Sequence, residues 1–123
     1  MTLTELLTEA QKLSPLAIPI SLPAEPIVAF CQRWQITQLS LFGSILRSDF
    51  NPQSDIDFLV SFAENSPWSL LDMVQMQQEL EQICQRKVDL VSQAAIDRSH
   101  NPIRRQEILS TAQILYQKTS ASA

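Results

Sequence analysis

Glycine is almost missing from this chain. Among 123 residues there is one, Gly43, where average usage would supply roughly eight or nine. Histidine is equally scarce. With His100 alone in the loop "RSHNP", a His-based zinc site or a Ser-His-Asp triad has little material to form from. The two cysteines, Cys31 and Cys84, lack CxxC spacing and sit in apolar helical patterns, which reads as buried free thiols. No apolar run approaches the length of about 18 residues needed to cross a bilayer. The first twelve residues carry two glutamates and one lysine, unlike a signal peptide, so a cytoplasmic location is expected. No basic run exceeds two residues and the net charge is −4. That disfavours direct nucleic-acid binding through phosphate neutralisation. An acidic chain suits a small anionic substrate only if metal ions intervene.

What remains is ordinary globular material: 45% apolar and 18% charged residues, enough for one domain with a real core. Leu3, Leu6, Leu7, Ala10 and Leu13 predict a short helix over residues 2–13. "SPLAIPISLPAEP" holds Pro15, Pro19, Pro23 and Pro26 and reads as an extended connector. Ile27, Phe30, Cys31 and Trp34 mark a second helix. "TQLSLF" and "DIDFLVSF" read as strands, with a helical turn and the Asn51-Pro52 breaker between them. Leu70, Met73, Val74, Leu80, Ile83 and Cys84 give a further helix, and "KVDLVS" a third strand. A last helix is expected from about Pro102 to Gln117. There are no internal repeats. The fold class is α+β, a small sheet with helices packed on it.

The chemistry lies in the strands. Alternation along a strand puts Asp55 and Asp57 on one face, where their carboxylates can converge on one cation or on a pair about 3.5 to 4 Å apart. Two carboxylates at the mouth of a strand continuing as "FLV" repel one another unless a cation sits between them. An all-oxygen ligand set suits Mg²⁺. Asp89 repeats the signal inside "VDLV", and completes a triad if its strand is a neighbour. The plainer reading of all three is a solvated strand end. Gly43 then acquires a reason. A strand ending in Gly-Ser and turning into a helix offers backbone N–H groups and the Ser44 hydroxyl to an anion, and no Cβ blocks its approach. Ser44 would otherwise be an ordinary N-cap. Arg47, one turn later, either adds charge to a phosphate or is a plain surface arginine.

Gly-Ser, ten residues, then "DID" resembles the G-S-x₁₀-D-x-D signature of minimal nucleotidyltransferases in the DNA polymerase β-like superfamily. The flanks "LSLFGSILRSDF", "SDIDFLVSF", "KVDLVS" and "IRRQEILSTAQILY" agree, so the resemblance covers residues 36 to 118. Many relatives have glycine where Ser48 stands. Within the family the chain most resembles the MntA-type antitoxins encoded beside HEPN-domain ribonuclease toxins. The resemblance implies a nucleotidyltransferase (polymerase β palm-like) fold in a single domain over residues 1–123, its catalytic core at 36–118 preceded by the helix and connector of 1–26. It implies transfer of AMP from ATP to a tyrosine of the HEPN toxin. It would assign Asp55, Asp57 and Asp89 to catalysis and to two Mg²⁺ ions, and Gly43, Ser44 and Arg47 to the nucleotide. Tyr116, late in the terminal helix, reads as a packing residue.

Three other functions fit the same residues. One is modification of a small molecule, as aminoglycoside nucleotidyltransferases perform it, although those usually carry another domain. The others are covering a toxin without catalysis and a structural domain without a ligand, which would leave three carboxylates unexplained. Trp68, Ile18, Ile20 and Leu22 are candidates for a partner-facing surface. Their plainer reading is the chain's own core.

Overall fold

A computed structural model describes residues 13–118. The helix expected over 2–13 lies almost wholly outside the described residues. The elements run α1 (Ala24–Arg33), β1 (Ile36–Phe42), a 3₁₀ turn (Gly43–Leu46), β2 (Ile56–Phe62), α2 (Leu70–Cys84), β3 (Val88–Ser92), α3 (Gln93–Asp97), α4 (Pro102–Thr111) and β4 (Gln113–Gln117). The strands form one mixed sheet in the order β3-β2-β1-β4. β2 pairs parallel with β3, and β1 pairs antiparallel with both β2 and β4.

Alternation splits each strand between two layers. Leu39, Leu41, Phe58, Val60, Val88 and Leu90 join Ile27, Phe30 and Cys31 of α1 and Met76 and Leu80 of α2 in the main core. Phe42 and Leu59 face the other way and meet Ile96 of α3 and Ile108 of α4. Asp57 and Asp89 stand on this second face too, one residue out of phase with their buried neighbours. The short helices α3 and α4 cover only part of it. The α+β expectation holds.

The expected last helix is corrected. It stops at Thr111, where Ala112 takes an extended ψ of 140°, and "QILYQ" becomes β4 against β1. Helical spacing and strand preference compete in this stretch, and the unpaired backbone groups of β1 decide between them. Tyr116 is accordingly a buried strand residue. Its packing role stands, but its place in a helix does not. A short helix, α3, was also unexpected; the Ser92 hydroxyl caps it by accepting from the Ala95 N–H at 3.1 Å.

Leu16, Ile18, Ile20 and Leu22 of the proline-rich connector pack on the main core. The Ser14 N–H donates to the Leu115 carbonyl at 2.7 Å, covering part of the outer edge of β4. Trp68 meets Trp34 edge to face with centroids 4.9 Å apart, and its Nε1 donates to the Trp34 carbonyl at 2.8 Å. These residues therefore serve this chain's own core rather than standing open to a partner. Both cysteines are free. Burial pushes the Cys31 thiol up to about 12 and that of Cys84 up to about 11, so both stay protonated and inert. Among the described residues no helix is long and apolar enough to cross a membrane.

Left-handed backbone is where glycine normally goes. Here Gln35, Asn65 and Gln85 adopt φ of 56°, 63° and 53°, each with a Cβ that opposes the conformation. The chain leaves glycine out of its helix ends and keeps it at one place, Gly43. Gln85 ends α2 in the left-handed conformation. Gln85→Gly should therefore stabilise the protein by about 1 kcal/mol, the Cβ penalty less the entropy that glycine adds to the unfolded chain. Urea denaturation measures this.

Candidate active site

Phe42 closes β1 directly opposite Asp57. The next residue, Gly43, turns the chain into the 3₁₀ segment with φ +76°. A Cβ built there would collide with Oδ2 of Asp57 and lie 3.2 Å from its Cγ. The glycine thus does two things: it takes a left-handed backbone conformation, and it leaves space for a carboxylate to lie against the chain.

In the parallel pairing Asp57 is the register partner of Asp89. Adjacent strands lie about 4.8 Å apart and register partners share a face, so these two carboxylates are neighbours. Asp55 sits immediately before β2 rather than inside it, at the end of a folded loop. The Asn51 side-chain oxygen accepts from the Gln53 N–H at 2.8 Å, and the Ser54 N–H donates to the Asn51 carbonyl at 2.9 Å. Arg86 ties the loop down from the α2–β3 junction. Its Nη1 donates to the Asn51 and Ser54 carbonyls at 3.1 and 3.0 Å, and its guanidinium lies 4.6 Å over the Phe50 ring. Nothing in the sequence pattern singled out Arg86.

The electrostatics record the crowding. Burial, then the charges of Asp89 and Asp55, push the Asp57 carboxyl up to about 6, against the opposing pull of Arg47 and Arg104. Ser44 is the second residue of the 3₁₀ turn, not its cap. Phe42 holds the cap position without a side-chain hydrogen bond. Among the described residues no hydrogen bond engages the Ser44 hydroxyl. Arg47 ends the turn, and its Nε pairs with Asp49 at 3.1 Å with both side chains largely exposed, a contact worth little by itself. His100 is exposed between α3 and α4. Arg104, on α4, is a site residue that sequence reasoning missed. It sits in the quoted flank "IRRQEILSTAQILY", but a helical arginine there carries no local signal.

A cleft of about 520 Å³ opens between the 3₁₀ turn and α4, lined by Gly43, Arg47, Arg104, Glu107, Thr111 and Gln113 among others. Its size suits a small ligand. Its walls include Gly43 but none of the three aspartates, so the acids and the cleft meet at the glycine. The donor set around Asp57 is all oxygen and mutually repulsive, which fits a hard divalent cation. Among the described residues no three His, Cys, Asp or Glu side chains form a ready cage. A cation here would complete its shell with waters and substrate oxygens, as Mg²⁺ ordinarily does.

A cradle built on one glycine, carboxylates on two neighbouring strands and a cleft with two arginines are together the arrangement of a phosphoryl- or nucleotidyl-handling domain. The nucleotidyltransferase domain family matches residues 27–115, and the chain belongs to that family. A Methanocaldococcus jannaschii protein provisionally named a protein adenylyltransferase is 34% identical over 86 residues, spanning 70% of this chain and 86% of the relative. The protein adenylyltransferase MntA of Thermococcus cleftensis is 32% identical over 65 residues, spanning 53% of this chain and 64% of that protein. Among solved structures, one described provisionally as a minimal nucleotidyltransferase superposes with a TM-score of 0.56 at 31% identity, covering 72% and 85% of the two chains. A chain from a toxin–antitoxin structure with AMP-PNP superposes at 0.59 with 20% identity, covering 77% and 73%, and shares the fold.

Two measurements check this geometry. Gly43→Ala should cost about 1–3 kcal/mol of stability, the penalty for left-handed backbone in a residue with a Cβ, and it should displace the Asp57 carboxylate. Denaturant unfolding reads the first effect and a crystal structure of the variant the second. Asp57→Asn should stabilise the metal-free protein at high pH only. The folded Asp57 holds its proton up to about pH 6, so the unfolded state loses it first. The cost of the buried charge develops as pH rises from about 4 to 6 and is complete above that range. After allowance for solvent screening we expect a gain of about 1 kcal/mol at pH 7.5 and none at pH 3.5, read by thermal melts.

Proposed function

We propose that this chain is a protein adenylyltransferase of the MntA type, transferring AMP from ATP to a tyrosine of a HEPN toxin and so neutralising it. The observation that carries the reading is the contact of Gly43 with Asp57, with Asp89 in register beside them. It joins a phosphate cradle to clustered carboxylates in one spot. The relatives support the protein acceptor. Two carry the name protein adenylyltransferase, and a structural neighbour is described as a tri-AMPylated HEPN toxin in complex with an MNT antitoxin.

In this reading Asp55, Asp57 and Asp89 are the metal ligands and catalytic residues, and Gly43, Ser44 and Arg47 bind the nucleotide. Two Mg²⁺ ions held by the aspartates would supply charge neutralisation on the entering and leaving oxygens. The turn that begins at Gly43 offers backbone N–H groups to the phosphates, and the Ser44 hydroxyl, which no hydrogen bond engages among the described residues, donates to a phosphate oxygen. Arg47 turns from the weak pairing with Asp49 to the polyphosphate. The toxin's tyrosine oxygen bonds to the α-phosphorus while the bond to the α–β bridging oxygen breaks, and pyrophosphate leaves. The hydroxyl proton passes to a carboxylate oxygen of Asp89. An Asp57 protonated below about pH 6 is a poorer metal ligand, so Mg²⁺ must compete with the proton there.

Neutralisation by covering the toxin without chemistry has one observation in its favour. Leu70 and Leu71 at the start of α2 are 81% and 80% exposed, and Val74 follows at 50%. The two readings separate in one assay. Wild type and Asp57→Asn are incubated with Mg²⁺, α-labelled ATP and the HEPN toxin. We expect label on the toxin from wild type and a loss of more than about a hundred-fold in the variant, larger than that for removing a group that only supports a ligand. Chelation of Mg²⁺ should abolish transfer. An Asp57→Asn protein that labels nothing yet still silences the toxin would replace this reading with the binding one.

A further inference from the structure

The G-S-x₁₀-D-x-D motif ends at Asp57, yet the cleft beside it is walled on the far side by α4. Two consecutive arginines start that helix, and they part company. Arg105 is half-buried, and its Nη1 reaches back to the Ser99 carbonyl at 3.5 Å. Arg104 lines the cleft together with Arg47 and Gly43, and its charge reaches Asp57. Among the described residues the Arg104 side chain has neither an ion pair nor a hydrogen bond. Among the described residues Glu107 is the one acidic residue in the cleft wall.

Arg104 is also badly placed for its own helix. Asn101 caps α4 by accepting from the Arg104 N–H at 3.1 Å, and Pro102 opens the helix, so Arg104 lies in the first turn, which holds no acidic residue. The positive end of the helix dipole repels a cation there. A residue that breaks a local rule and faces a cleft without an ion pair or hydrogen bond points to function.

We infer that Arg104 is a polyphosphate-binding residue: its guanidinium and that of Arg47 hold the β- and γ-phosphates of a nucleoside triphosphate in this cleft. The inference rests on the nucleotidyltransferase reading above and extends it to a residue outside the motif. Two arginines flanking the cradle would orient the pyrophosphate leaving group in line with the attacking oxygen, while the aspartates handle the α-phosphate end. A nucleoside monophosphate lacks the groups that Arg104 grips.

The test is calorimetric binding of AMP-PNP and of AMP, each with Mg²⁺, to wild type, Arg104→Gln and Arg104→Lys, with a melting temperature for each protein. Arg104→Gln should weaken AMP-PNP binding on the order of ten-fold, the loss of one charge-assisted contact, and leave AMP within about two-fold. Arg104→Lys should recover part of the loss. Melting temperatures should stay level for Arg104→Gln, since relief of the repulsion by the helix dipole offsets the lost attraction to Asp57. Unchanged AMP-PNP binding, or equal weakening of both nucleotides, overturns the inference. Wild type that binds neither nucleotide overturns both the inference and the reading beneath it. Wild type that binds AMP-PNP but adenylates no toxin overturns only the proposed acceptor, and the Arg104 comparison still decides.

Discussion

A carboxylate lying against a bare backbone is the contact on which the rest of this site depends. Asp57 occupies the space where any residue but glycine at 43 would place its Cβ. The sheet register fixes both sides of that contact: Phe42 faces Asp57 across the antiparallel pair, and Asp89 faces it across the parallel one. The two strands that flank β2 therefore deliver a glycine turn and a second carboxylate to the same residue. Without a cation, ionising Asp57 is costly, since burial and then the charges of Asp89 and Asp55 push its carboxyl up to about 6. Perturbed carboxylates of this kind cluster at functional sites.

The surrounding fold serves that contact from two directions. The main core, with α1 and α2 behind the sheet, anchors β1, β2 and β3, so Asp57 and Asp89 sit on strands while Asp55 ends the loop before β2. In front, α3 and α4 cover Phe42 and Leu59 but stop short of the aspartates. The gap left beside α4 is the cleft. Arg86 secures the loop before Asp55 through two carbonyls and an aromatic ring.

Much of this was legible in the sequence. Strand alternation around "DIDFLV" and "VDLV" put Asp57 and Asp89 on strands, and a solitary glycine ahead of them marked the turn. What was not legible depends on distant parts of the chain. That "KVDLVS" runs parallel to β2 in register is a property of the α2 crossover, not of the strand itself. "QILYQ" becomes a strand because β1 has an unpaired edge, a tertiary demand that overrode helical spacing. Arg104 and Arg86 acquire meaning only when α4 and the α2–β3 junction fold over the site. For Trp68 and the proline-rich connector the plainer of two readings, the chain's own core, is the one the packing supports.

The central claim is that Asp57 is crowded by like charge in order to hold a cation for nucleotide chemistry. Carbon NMR of the labelled Asp57 carboxyl, followed through a pH titration with and without Mg²⁺, tests it directly. The account predicts a metal-free midpoint near 6 that falls when Mg²⁺ is added, because the cation favours the charged form. A midpoint in the ordinary carboxylate range that Mg²⁺ leaves unmoved would contradict it.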